Sequence, residues 1–109
     1  IGGNLYRTYR SISNTSLWNE VTYWKRNYGW NYVDPMVVMV RPNQIWYPGS
    51  ANIRAHYLVI YGYSNNYKGK AVYLVWDPMP VSAGGGVHSL AKQDWERVAW
   101  TGRFVVAVD

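Results

Sequence analysis

At 109 residues and 49% hydrophobic content, the chain has the length of one domain and enough apolar side chains for a core, which excludes a disordered protein. Its formal charge of +5 is carried by scattered lysines and arginines with no run of like charges, which argues against a basic tail and a nucleic-acid partner. It has no cysteine, hence no disulfide or thiolate metal site, and no apolar run reaches the about 18–20 residues of a membrane span.

A start at Ile1-Gly2-Gly3 rather than Met leads us to expect a processed product or fragment that has lost something upstream. Residues 1–15 are polar and read as an extended arm. Ser16 is placed to cap a helix from Leu17 to about Tyr28, with Leu17, Val21 and Trp24 on one face. Glu20 falls in its first turn, Lys25 and Arg26 lie near its end, and Gly29 stops it. Met36 to Val40 is an apolar run fenced by Pro35 and Pro42, short enough for a buried strand. Pro42 to Asn52 reads as a loop. Ala55–Tyr63 and Ala71–Asp77 read as the two strands of a hairpin around a polar turn from Ser64 to Lys70. Pro78 to Val87 is a second loop with Gly84-Gly85-Gly86 at its tip. Ser89 is expected to cap a short helix reaching Trp100, and Arg103–Val108 is a last strand. The expected class is therefore α+β, a mostly antiparallel sheet with two short helices, in a single domain over 1–109. The 7 Trp and 11 Tyr, against 1 Phe, suit half-wet surfaces and a partner.

His56 opens the first hairpin strand and Asp77 closes the second, which puts both at one rim of the sheet. An imidazole oriented by a carboxylate at one nitrogen can take a proton at the other. The same residues also fit a strand histidine bonded to a backbone carbonyl and a plain Asp-Pro turn, and spacing by itself favours that simpler reading. Ser16 as an activated nucleophile is weaker than Ser16 as a helix cap. His88 reads as a surface histidine, the glycine run as a flexible loop, and Asp94 and Glu96 as solvated helix charges. Two histidines this far apart are not a metal site, so no metal or cofactor is expected.

From Leu17 to Val108 the chain resembles the C-terminal part of papain-like cysteine peptidases of the C39-like kind. The resemblance rests on Pro35-Met36-Val37-Val38-Met39-Val40 as a strand of the "PVVV" type, on His56-Tyr57-Leu58-Val59-Ile60-Tyr61-Gly62, and on Val75-Trp76-Asp77-Pro78. It implies the C-terminal half of a papain-like fold, with His56 as general base and Asp77 as its orienting partner. The nucleophilic Cys and the oxyanion-hole Gln of that family lie N-terminal to these motifs and have no counterpart in this chain. The resemblance thus implies a partner chain or N-terminal segment carrying the thiol, and a chain inactive in isolation. It also implies a peptide or protein substrate, with Trp46, Tyr47 and Trp76 as candidates for the substrate wall, and a secreted or extracellular setting. A transglutaminase-like acyltransferase part uses the same Cys-His-Asp order. A non-catalytic papain-like module that binds a peptide or protein, as an inhibitor or toxin component, is the alternative outside enzymes. On the papain-like frame Val38, Val40, Leu58, Ile60, Leu74, Val75, Val105 and Val106 are expected to stay partly uncovered without the missing segment.

Overall fold

The computed structural model describes residues 6–9, 11–28, 35–47, 55–100 and 105–108. In chain order they form β1 (Tyr6–Tyr9), α1 (Asn14–Tyr28), β2 (Met36–Val40), β3 (His56–Tyr67), β4 (Lys70–Asp77), β5 (Gly86–Ala91), α2 (Trp95–Val98) and β6 (Val105–Val108). Among the described residues the strands make one six-stranded sheet in the order β1-β6-β2-β3-β4-β5. Its neighbouring strands all run antiparallel. The class is α+β and mostly sheet.

Strand alternation puts Met36, Val38 and Val40 on one face beside Leu58 and Ile60, with Tyr73, Val75 and Leu90 continuing it across β4 and β5. Leu17 and Val21 of α1 close over this face together with Ile12, Trp95 and Val98. The cover is better than expected: Val38, Val40, Leu58, Ile60 and Val75 are all fully buried, while Leu74 is partly buried on the other face. The side chains of Val105 and Val106 lie outside the described ones. The short α2 does more than its length suggests because Trp95 is fully buried and its indole N–H donates to the Ile12 carbonyl at 3.2 Å. Trp18 bridges α1 to the hairpin through edge-on contacts with Tyr63 and Tyr73, at 5.3 and 5.4 Å.

Several boundaries differ from the sequence expectation. The helix cap is Ser13, not Ser16: the Ser13 hydroxyl accepts the Ser16 N–H at 3.1 Å, and Ser13 O takes the Leu17 N–H at 2.9 Å. Glu20 is accordingly beyond the first turn. Part of the supposed arm, Tyr6–Tyr9, is a strand paired with β6. The polar turn shrinks to Lys68-Gly69, both at positive φ (51° and 87°), which is the geometry that matches the strand twist in a two-residue hairpin. Ser64 to Tyr67 therefore stay in β3, with a register shift between Ser64 and Tyr67. Ser89 does not cap a helix. It lies in β5, where Val87 and Ser89 point outward, His88 is half-buried and Leu90 is buried.

The opposite face of the sheet carries Tyr57, Trp76 and Val87, which are large and exposed. Replacing Trp95 by Ala should lower stability by about 3–5 kcal/mol, since a large buried ring is lost and a cavity left behind. Val87→Ala, at a residue 71% exposed, should stay within about 0.5 kcal/mol of wild type. Urea denaturation of the two variants checks the contrast.

Candidate active site

Val59 pairs with Trp76, so one step further along the ladder Asp77 faces Leu58, and His56 is the next residue on that same face. The hairpin thus delivers His56 and Asp77 to one rim and one side of the sheet. His56 Nε2 lies 2.8 Å from Asp77 Oδ1, and the carboxylate is completely buried. The sequence expectation for this pair is met in its geometry.

A buried carboxylate needs donors. Oδ1 also accepts the Met79 N–H at 3.0 Å, a local bond made available by the Pro78 turn. Oδ2 accepts the Trp46 indole N–H at 2.9 Å and the Tyr47 hydroxyl at 2.5 Å. Tyr47 OH is 3.5 Å from His56 Nε2, too long to compete, so its proton belongs to Asp77. Burial acts to raise the Asp77 pKa, but the hydrogen bonds from Tyr47, Met79, His56 and Trp46 outweigh it and hold the carboxyl below its ordinary value. Tyr47 is driven the other way: burial, the bond to Asp77 and the carboxylate's charge push its hydroxyl up to about 12. With Nε2–H given to Asp77, Nδ1 is the basic nitrogen of His56. Among the described residues nothing hydrogen-bonds it, and the ring is 12% exposed.

Trp46 and Tyr47 reach the carboxylate because the chain after β2 is pinned. The Arg41 N–H bonds the Val98 carbonyl at 2.8 Å, Gln44 accepts Arg97 through both its backbone and side-chain oxygens, and Ile45 packs on the core. The two aromatics expected on a substrate wall are thus tied to Asp77. Trp76 is not brought to the cluster: it projects from the other face of the sheet and is 46% exposed.

His88 is no stray surface histidine. Its ring stacks on Trp46 at 3.9 Å and 8°, and its Nε2–H donates to Gly84 O at 2.8 Å. The glycine run that precedes it is close-packed rather than loose. A Cβ on Gly85 would fall 1.6 Å from Met79 O, and Gly84 and Gly86 have φ of 101° and 98°. Sequence reasoning missed His88 because its stacking partner, Trp46, comes from a distant loop. Residues 87–90 read apolar, polar, polar, apolar, so no alternation in the sequence marks His88 as facing the core side; pairing with β4 decides it.

No family model, curated protein or solved structure matches the chain. The site therefore has to be read on its own geometry. Among the described residues no group of three or more metal-binding side chains occurs.

Asp77→Asn puts an amide where one of the two oxygens accepts its donors, and should cost about 1–3 kcal/mol at neutral pH. Because the folded pKa of Asp77 is depressed, its contribution is complete above the ordinary value of 3.8. It declines as pH falls below that value and is gone once pH drops under the folded pKa. Chemical denaturation from pH 7 to pH 2 should show this acid loss in wild type and a smaller one in Asp77→Asn. Gly85→Ala should displace Met79 from Asp77, read as loss of protection of the Met79 amide in hydrogen exchange.

Proposed function

We propose that His56 and Asp77 are the general base and orienting acid of a papain-like cysteine peptidase site, serving a thiol supplied by another segment or chain. The observation that carries this reading is the 2.8 Å bond between His56 Nε2 and a fully buried carboxylate, which leaves Nδ1 as the nitrogen to accept a proton. In the reaction a thiol S–H would pass its proton to Nδ1, and the resulting thiolate would attack a peptide carbonyl carbon; Nδ1 would return the proton to the amine as the C–N bond breaks, and water would then hydrolyse the thioester to acid and thiol. Asp77 would hold the ring and stabilise the imidazolium, while Trp46 and Tyr47 keep the carboxylate ionised and in place.

A second reading, a non-catalytic binding module, is favoured by a different observation: the chain's own donors fully satisfy Asp77, as a purely structural hub requires. The two readings part on the thiol. In a longer chain or complex that carries a cysteine, the peptidase reading expects rapid alkylation at pH 6 that slows by about tenfold or more on His56→Ala. An alkylation rate indifferent to His56 would leave the binding module standing. In the 109-residue chain itself, 15N spectra of the neutral imidazole should report the proton on Nε2, and a proton on Nδ1 would defeat the general-base assignment.

A further inference from the structure

The sheet ends at β5 among the described residues, and this outer strand is unusually unguarded. Its six residues, Gly86 to Ala91, include no charge and no proline, the two common ways of blocking an open edge. Val87 at its start is 71% exposed. Beside the strand runs a groove of about 530 Å³, to which β5 contributes Ser89, Leu90 and Ala91. Trp46 and Ile45 line it from the pinned loop, and Tyr67 and Val72 from the hairpin.

The charge of the groove is net positive. Lys68, Lys70 and Arg97 line it against a single carboxylate, Asp94. Arg97 is already engaged, 3.4 Å from Asp94 and bonded to both oxygens of Gln44. Lys68 sits exposed on the tight turn at the end of the hairpin, 5.5 Å from the Tyr67 ring through its Nζ, and Lys70 sits exposed at the start of β4. A strand with no further strand beside it among the described residues offers backbone donors and acceptors, apolar side chains offer contact area, and two lysines offer a counter-charge.

We propose that this groove binds an extended peptide bearing acidic side chains, which adds to β5 as a further strand and places a carboxylate against Lys68 and Lys70. Strand addition takes its affinity from main-chain hydrogen bonds and its selectivity from side chains on either face. A second copy of this chain is a poorer occupant, because each carries a net charge of +5 and the same lysines. The inference rests on the groove and the strand edge, independently of the peptidase reading, and its test involves no turnover.

The test is fluorescence anisotropy of the 109-residue chain with a labelled decapeptide of alternating Glu and Val. Saturable binding that weakens with added salt is expected. The double variant Lys68→Asn with Lys70→Gln suits the positive φ at residue 68 and should bind about fivefold more weakly, with an unchanged circular dichroism spectrum. The same peptide N-methylated at alternate residues should lose binding. Equal binding of the N-methylated peptide would overturn strand addition. Equal binding of a peptide with Lys in place of Glu would overturn the acidic partner. A dimer in sedimentation that the peptide fails to dissociate would assign the edge to a second copy instead.

Discussion

The charge on Asp77 is the constraint around which this protein is arranged. An ionised carboxylate moved out of water costs several kcal/mol unless donors replace the solvent, and Asp77 has no exposed surface at all. Its donors come from separate places: Trp46 and Tyr47 after β2, His56 at the head of β3, and Met79 just beyond β4. Removing any one would strand a buried acceptor site, so the segments are locked to one another. The loop after β2 has little regular structure, yet it holds a defined position because this carboxylate and Arg97 hold it there.

The lock extends outward through His88. By stacking on Trp46 and bonding Gly84 O, it ties the glycine-rich loop to the aromatic that orients Asp77. Glycine is required at residue 85 by the approach of the Met79 backbone, and at residues 84 and 86 by left-handed φ values. His88, remote from His56 in sequence, is thereby connected to the His56–Asp77 pair through Trp46.

The two faces of the sheet are used differently. One is sealed by α1, α2 and the chain before α1, and it carries both the core and the His56–Asp77 pair. The other leaves Tyr57 and Trp76 substantially open, which fits a chain rich in aromatics that keep a polar edge in water.

Residue pattern by itself determined the elements with strong periodicity. Leu17 and Val21 mark the buried face of α1, Met36 to Val40 mark β2, and the apolar runs on either side of Lys68-Gly69 mark the hairpin. From the hairpin alone it followed that His56 and Asp77 share a rim, because antiparallel pairing brings the start of one strand to the end of the next. Tertiary structure decided the rest. The strand nature of Tyr6–Tyr9 depends on β6, almost the whole chain away, and that of Gly86–Ala91 on pairing with β4, since four to six residues carry too little local preference to choose for themselves. Whether Trp46 and Tyr47 would face a ligand or a carboxylate was equally invisible, because hydrogen-bond partners 31 and 30 residues apart leave no local signature. Periodicity reports which way a side chain points, but only the folded chain determines what it meets there.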